Sequence, residues 1–341
     1  MWGCRRESSA GESPHPDHIC DVIRPPPQAG EVHRACLGLV GSDNQMLERK
    51  KWIFAILALL PILAIYSVVR LYPIGETLRL SLYRWNILSK NKPFIGLDNF
   101  SELIGDPLFR EALFNTTIIA FGVLIVTIPT ALFLAALIYH RTKSRFAGFY
   151  ETAVFLPHVV SLVPAALAWK WIFDARLGPL NALLGWFGVE PKAWLFDPAL
   201  SLVCIIVLCA WQALGYAVLI YLVGFKNLPQ SLYEAARLDG ASAAQSFWYL
   251  SIPLLKPITL YVSVVTLVSG FNVYAQAFIL ASDVQGAPGR QVRVLVLDML
   301  ENSFRNYRVG YAASEAVVLL VIVLVLTLIQ FTLLREKGGR A

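Results

Sequence analysis

The sequence predicts an all-α membrane protein with six transmembrane helices. Hydrophobic residues make up 57% of its 341 residues and charged residues only 15%, whereas about a quarter of an average soluble domain is charged. Several apolar runs exceed the ~18–20 residues that a helix needs to cross a bilayer. We place the spans near residues 52–72, 111–139, 150–173, 199–222, 258–281 and 309–334. An even number of spans puts both termini on one side of the membrane.

The first 45 residues differ in composition from the rest of the chain. They contain three consecutive prolines at 25–27 and no hydrophobic periodicity, so we expect residues 1–45 to be disordered. Met46 and the charged residues after it are typical of the start of a bacterial membrane protein. The hypothesis is that native translation begins there and that residues 1–45 are not native. No small-x-small cleavage site follows the apolar stretch, which favours a retained anchor helix over a cleaved signal peptide.

The remaining chain divides by hydropathy. We assign residues 46–110 to the first transmembrane helix and a long polar loop outside the cytoplasm. The loop has room for a short helix at the membrane surface. Residues 111–334 form the main transmembrane region, and residues 335–341 form a short polar tail.

The segment at 228–257, between the fourth and fifth spans, predicts a helical hairpin. Asn227 is a suitable cap for its first helix, and Pro229 suits the first helical position. Gly240 stands where the chain must leave this helix with a positive φ. The face that includes Ala235 and Ala236 is shallow, so another surface can approach closely.

The second half of this hairpin has its own start and stop signals. Ser242 is a suitable N-cap, and we expect Pro253 and Pro257 to end the helix. An alternative interpretation is an ordinary hairpin without a partner. A non-hydrophobic hairpin between two spans favours docking of a soluble protein.

The same residues resemble the EAA signature of binding-protein-dependent ABC importer permeases. The match consists of Glu234-Ala235-Ala236, Gly240 after three further residues, and Leu-Ser-Ile-Pro at 250–253 after another nine. The family usually has Ile-x-Leu-Pro at the end, so this ending is a conservative departure. Further matches occur at 96–100 and 310–312, and the resemblance covers about residues 48–337. The carbohydrate-uptake branch, which includes sugar and glycerol-3-phosphate importers, is the most similar.

The resemblance implies a type I ABC importer permease fold, with 111–334 as the permease domain, and an ATP-driven transport function. It implies a bacterial inner-membrane protein whose hairpin and both termini are cytoplasmic; positive charges alone do not decide the orientation. The implied partners are an ATP-binding ABC subunit, a second permease subunit, an extracytoplasmic substrate-binding protein and membrane lipid. The residues implied to couple the chain to the ATPase are Glu234, Ala235, Ala236, Asp239, Gly240 and Pro253.

Several polar side chains lie within the apolar spans. An unpaired amide or hydroxyl in hydrocarbon costs about 2 kcal/mol or more, so such groups face a partner, water or a ligand. Three of them, Ser269, Asn272 and Gln276, have the i, i+3, i+7 spacing of one helical stripe. The alternative to a substrate pathway is hydrogen bonding between helices. The pathway candidates are Gln212, Tyr216, Ser269, Asn272, Tyr274, Gln276 and Glu315.

Two of the ionisable residues within spans have open roles. Glu315 stands about two turns into the sixth span, where it can meet a cation, a polar ligand or a helix of the partner permease, or simply contact water at the interface. His158, between Pro157 and Val159, is more typical of a structural contact than of a pathway residue.

The sequence lacks the motifs of several other functions. It has no Gly-x4-Gly-Lys-Ser/Thr loop, so any ATP hydrolysis belongs to another chain. No Gly-x-Ser-x-Gly, His-Glu-x-x-His or Cys-x-x-Cys motif is present. We expect no enzymatic activity, no cofactor and no metal site. The net charge of +6 is not arranged as a basic stripe, so we expect no nucleic-acid partner.

Two other functions remain as alternatives. A self-sufficient secondary carrier predicts paired intramembrane charges or inverted repeats, and neither is evident. A membrane-embedded enzyme requires a clustered catalytic set at one membrane face. Neither alternative accounts for the hairpin.

Overall fold

The computed structural model describes residues 51–52, 54–140, 147–281 and 292–334. Within these ranges the regular structure is helical apart from one isolated antiparallel bridge between Tyr83 and Phe94. The extension at 1–45, the start at Met46, most of the basic loop at 140–145 and the tail at 335–341 lie outside the described residues.

Thirteen helices are defined in the described ranges. They are α1 (Phe54–Leu80), α2 (Asp98–Gly105), α3 (Pro107–His140), α4 (Ala147–Val159), α5 (Leu162–Ile172), α6 (Pro179–Gly185), α7 (Pro198–Lys226), α8 (Gln230–Leu238), α9 (Ala243–Leu254), α10 (Lys256–Phe271), α11 (Ala275–Ala281), α12 (Leu295–Leu300, continued by a π-helical turn, Glu301–Arg305) and α13 (Val309–Leu334).

The number of spans agrees with the sequence, but two spans are bent. In the described ranges, α1, α3, α7 and α13 are each long and apolar enough to cross a membrane. Two bent pairs bring the number to six: α4 and α5 meet at 95°, and α9 and α10 meet at 67°. The third predicted span is therefore bent, because Pro157, Ser161 and Pro164 interrupt its backbone ladder.

The first predicted span was too short. We expected it to end at Tyr72, before Pro73, but α1 continues to Leu80. A π-helical turn, Ser67–Leu71, directly precedes this proline. Such a turn adjusts the backbone where a proline cannot supply its N–H, so the helix is not broken.

The start of the second span was also placed too late. α3 begins at Pro107, not at residue 111, because Asp106 caps it. The Asp106 Oδ1 atom accepts a hydrogen bond of 2.8 Å from the Leu108 N–H. Partial burial opposes ionisation here, but hydrogen bonds from Tyr311 and from the backbone N–H groups of Leu108 and Phe109 hold the pKa of Asp106 below its ordinary value.

The polar loop before α3 contains the short helix that we expected. This helix is α2, and the buried side chain of Asn99 attaches it to the preceding segment. The Asn99 Nδ2 atom donates to the Ser81 carbonyl at 2.7 Å and to the Tyr83 carbonyl at 3.1 Å. This side chain therefore gives both backbone carbonyl groups a hydrogen-bond donor, which polar groups away from water need.

The prediction of one continuous helix over 258–281 for the fifth span is wrong. α10 ends at Phe271, and α11 starts again at Ala275. Asn272 ends α10: its Nδ2 atom donates to the Val268 carbonyl at 2.8 Å, and its backbone N–H also bonds to Val268. A short polar side chain that satisfies the last carbonyls in this way is a typical helix stop.

The chain divides into two compact units, Met1–Leu71 and Tyr72–Ala341. In the second unit, α3 and α7 form the most extensive helix pair, and α10 packs against α3. The contact between α3 and α10 is close at Gly270, where a Cβ atom would stand 2.7 Å from the Ala120 Cα. Small residues at such crossings let two membrane helices approach.

Replacing Gly270 by Ala is expected to destabilise the chain because the added methyl group meets the α3 backbone, which cannot move as a flexible side chain would. Overpacking of this kind costs about 1–3 kcal/mol. The measurement is the thermal unfolding midpoint of purified protein in detergent. Gly75→Ala is the control, since a Cβ atom there meets nothing within 4 Å. Equal midpoints for the two variants would contradict the close α3–α10 contact.

Candidate functional site

The first candidate site is the exposed hairpin of α8 and α9. Pro229 caps α8, and Asn227 instead ends α7; the expected positions of these two residues were wrong. The proline fits the cap because its φ of −61° and ψ of 118° lead directly into the helix. Glu234, Ala235, Asp239, Gly240 and Pro253 are exposed, and Ala236 is half-buried.

The turn of the hairpin has the predicted geometry. Gly240 has a φ of +80°, which glycine adopts without steric cost. The Ala241 N–H donates to the Ala236 carbonyl at 2.9 Å, and the Gly240 N–H donates to the Arg237 carbonyl at 3.1 Å. These are the two bonds of a Schellman motif, so the turn is set locally by the chain itself.

The second helix starts with a complete capping box. The Ser242 Oγ atom accepts from the Gln245 N–H at 3.3 Å, and the Gln245 side chain accepts from the Ser242 N–H at 2.8 Å. The Tyr233 and Ser251 hydroxyl groups, 2.9 Å apart, join α8 to α9. α9 ends at Leu254, between Pro253 and Pro257 as expected, but the chain only bends at Leu255 and continues into α10. Pro257 stands in the first turn of α10, where its missing N–H costs nothing.

The hairpin presents a concave surface beside its turn. This surface is lined by Ala236, Asp239, Gly240, Ala241, Gln245, Ser246, Tyr249 and Leu250. Around it, Leu238, Trp248 and Tyr249 are largely exposed, with Leu238 at 90%. A cluster of exposed apolar side chains around a concavity is typical of a protein-docking surface.

The second candidate site is a partly open cavity of about 180 Å³ among α3, α4, α7, α10 and α11. Its surface is mostly apolar, and we call it the polar cavity after the hydroxyl, amide and imidazole groups that also reach it. It is lined by Val123, His158, Cys209, Gln212, Ala213, Tyr216, Val265, Thr266, Ser269, Gly270, Val273 and Gln276. It therefore brings together four of the seven pathway candidates: Gln212, Tyr216, Ser269 and Gln276.

The cavity lies where helices are interrupted. Ser269 is in the last turn of α10 and Gln276 in the first turn of α11, with the non-helical residues 272–274 between them. Non-helical backbone at membrane depth is tolerated where it is buried in protein or lines a water-filled space. The two side chains therefore reach one cavity from two helices, and the single helical stripe that we predicted does not exist.

The remaining pathway candidates do not line this cavity. Asn272 is exposed and ends α10, as described above. Tyr274 is half-buried, and its ring stacks on that of Phe278 with 5.8 Å between ring centroids. Glu315 is fully buried on α13, where its Oε1 atom accepts from the Asn302 side chain at 2.8 Å.

His158 also lines the cavity, and it makes structural contacts with two other cavity residues. Its Nδ1 atom lies 3.3 Å from the Gln212 carbonyl oxygen, and its ring lies 5.4 Å from that of Tyr216. The Tyr216 hydroxyl group in turn lies 2.6 Å from that of Tyr261. The signal available in the sequence was the adjacent Pro157, because a bent span exposes side chains near its break.

In the described residues, a helical bundle with apolar spans lines a partly open cavity and carries a capped hairpin between two spans, as in a multi-pass membrane protein. A family model described as binding-protein-dependent transport system inner membrane component matches residues 127–336, and the chain belongs to this family. The predicted family is therefore confirmed, and the family is one of transport components.

Relatives support this assignment over most of the chain. The chain is 35% identical over 281 residues to the probable ABC transporter permease protein YurN of Bacillus subtilis, a match covering 82% of this chain and 94% of that protein. It is 31% identical over 274 residues to the arabinooligosaccharides transport system permease protein AraP of the same organism, covering 80% and 86%. It is 34% identical over 289 residues to the lactose transport system permease protein LacF of Rhizobium radiobacter, covering 84% and 94%.

A solved structure confirms the predicted fold. The crystal structure of a bacterial ABC transporter involved in the import of the acidic polysaccharide alginate contains a chain with a TM-score of 0.72 to this one. The likeness covers 86% of this chain and 99% of that chain at 22% sequence identity. The six-span fold of a type I ABC importer permease is thus shown.

The polar cavity is expected to be accessible to water. In a background without the five native cysteines, Gln276→Cys should react with a small hydrophilic maleimide. Leu280→Cys, one helical turn away and 2% exposed at the native leucine, should not react. Labelling followed by mass spectrometry measures both, and equal reactivity would contradict a water-filled cavity.

Proposed function

We propose that this chain is the membrane-spanning subunit of an ATP-driven importer that moves a saccharide across the bacterial inner membrane by alternating access. The observation that carries the proposal is the polar cavity between interrupted helices, which supplies hydroxyl, amide and imidazole groups at membrane depth. The names of AraP and LacF, which describe oligosaccharide and lactose transport, support a saccharide as the substrate.

The proposed partners follow from the family and from the hairpin. They are an ATP-binding ABC subunit, a second permease subunit and an extracytoplasmic substrate-binding protein. A structure of the alginate transporter in complex with its substrate-bound periplasmic protein contains a chain of similar fold. We place the hairpin and both termini in the cytoplasm, where the concave surface beside Gly240 receives the ATP-binding subunit.

The packing around the hairpin is suited to transmit a displacement of the hairpin to the cavity. Leu255, at the bend between α9 and α10, is fully buried in a cluster that includes Tyr221 and Phe225 of α7. Phe247 of α9 and Ile258 of α10 pack against the same cluster. Because packed cores do not deform continuously, a displacement of α9 shifts α7 and α10, and both helices line the cavity.

The cavity favours an uncharged substrate. Its described lining contains no Asp, Glu, Lys or Arg side chain. Moving a phosphate ester into such a site without a cation carries a large desolvation cost, whereas sugar hydroxyl groups can exchange water for Gln212, Ser269 and Gln276. We therefore propose a neutral saccharide over glycerol phosphate for this chain.

The proposal is tested by reconstituting the chain in lipid vesicles with the ATP-binding subunit, second permease subunit and substrate-binding protein proposed above. Stimulation of ATP hydrolysis by a substrate-loaded binding protein, with uptake of a neutral saccharide, is the expected result. Uptake that proceeds without ATP would support a self-sufficient carrier, and chemical conversion of the saccharide would support a membrane enzyme.

Replacing Gly240 by Val is expected to uncouple transport because a β-branched residue strongly disfavours positive φ. The strain of about 1–2 kcal/mol distorts the turn and lowers uptake about tenfold or more. The measurement is ATP-dependent uptake by vesicles with matched amounts of assembled complex.

Gly188→Val is the matched control for this variant. Gly188 also has a positive φ, of +74°, and also meets nothing within 4 Å, but it follows α6 and is not in the hairpin. Uptake should be retained in this control. Equal loss in both variants would show that backbone strain alone, and not the hairpin turn, reduces uptake.

Replacing Gln276 by Leu is expected to reduce uptake several-fold, because a sugar hydroxyl group loses its partner while the cavity keeps its size. Loss of one such hydrogen bond costs about 0.5–1.5 kcal/mol. Gln276→Asn keeps the amide and should restore part of the rate. The measurement is initial uptake rate against substrate-loaded binding protein, and an unchanged rate in Gln276→Leu would place the pathway elsewhere.

A further inference from the structure

Two buried carboxyl groups meet where the segment after residue 292 packs against the last span. Glu315 of α13 is 0% exposed and Asp298 of α12 is 1% exposed. Their side chains lie within hydrogen-bonding reach of each other. Neither residue lines the polar cavity, so the pair has no assigned role.

Each carboxyl group has one oxygen without a hydrogen-bond donor. The Glu315 Oε2 atom and the Asp298 Oδ2 atom are buried and have no partner in the described structure. Their other oxygens are occupied: Glu315 Oε1 accepts from Asn302, and Asp298 Oδ1 pairs with the Arg293 guanidinium. Two orphaned carboxylate oxygens, buried side by side, repel each other unless something positive lies between them.

We propose that Glu315 and Asp298 form a buried proton-binding site, in which one proton is shared between the Glu315 Oε2 and Asp298 Oδ2 atoms. The proton resides on Glu315, because Asp298 already has a cation, Arg293, beside it. The Glu315 hydroxyl then donates to the Asp298 carboxylate. One proton thus satisfies both orphaned oxygens and removes one buried negative charge.

Several charged groups lie around the pair. On the α12 side, Arg293 is shared between Asp298 and Glu301, where its Nη2 atom lies 3.6 Å from the Glu301 Oε2. From the start of α3, Asp106 adds a further negative charge near the pair and accepts from the Tyr311 hydroxyl at 2.6 Å. Arg308, directly before α13, pairs with Glu102 of α2. The described carboxylates near Glu315 therefore outnumber the cations.

The proton site joins elements that must stay together for the sixth span to pack. Asn302, held by Glu315, also accepts from the Asn306 side chain at 2.9 Å, and its carbonyl accepts from the Arg308 N–H at 2.7 Å. Loss of the proton would place two charges in a space without water and separate α12 from α13. In the orientation proposed above, this segment is extracytoplasmic, so the proton would come from outside the cell.

The experiment is infrared spectroscopy of the assembled complex in lipid at neutral pH. The expected spectrum contains the carbonyl band of one protonated carboxyl group, which shifts on exchange into heavy water. In Glu315→Gln the band should be lost, since the glutamine amide donates to Asp298 without a titratable proton and still accepts from Asn302. Glu76→Gln, at an exposed ion pair with Arg79, should keep the band.

A second variant tests the sharing of the proton. In Asp298→Asn the new amide donates to Glu315, and Arg293 is freed to balance the Glu315 charge, so the band should again be lost. The amide band of the same samples shows whether each variant remains folded. The measurement does not depend on transport. A result against the proton site would therefore leave the proposed import function unaffected.

Three results would overturn the proposal. A native spectrum without the band would mean that both carboxyl groups are ionised, and a rise of the unfolding midpoint with sodium or calcium would then identify a metal cation in place of the proton. A band that persists in Glu315→Gln belongs to another residue. A band that persists in Asp298→Asn means that Glu315 holds the proton alone.

Discussion

The structure depends on one constraint, that backbone N–H and C=O groups in a bilayer must be satisfied within the protein. The long spans α1, α3, α7 and α13 meet it with continuous helices. In the two bent pairs, the backbone groups at the breaks depend instead on neighbouring helices, capping residues and the cavity. Where α10 ends, the Asn272 side chain donates to the Val268 carbonyl, and Val273 in the following break lines the cavity.

The same constraint explains why the cavity and the hairpin are connected. α10 begins at the bend beside Leu255, under the hairpin, and ends at Phe271, beside the cavity. It is a short rigid element with a break at each end. An element of this kind can move as a unit, because the bonds that would resist its motion are already absent at its ends.

Polar groups in this chain fall into two physically different sets. Those at the cavity, including Gln212 and Gln276, are only partly buried and can exchange water for a ligand. Glu315 and Asp298 are fully buried, and one oxygen of each is held in place, by Asn302 and by Arg293 respectively. The first set suits transient binding, and the second suits a fixed contact between helices.

Much of the molecule was determined by the sequence alone. Apolar length predicted six spans, and the hairpin turn at Gly240 and the cap at Ser242 were predicted correctly, because each depends on interactions within about five residues. The bend near Ser161 and the break after Phe271 have local causes, namely two prolines and the helix-ending side chain of Asn272. The tertiary structure alone decided the pairing of Glu315 with Asp298 and the close contact between α3 and α10. These features depend on contacts between residues distant in the chain, such as Gly270 against Ala120, and no local pattern encodes which helices will meet.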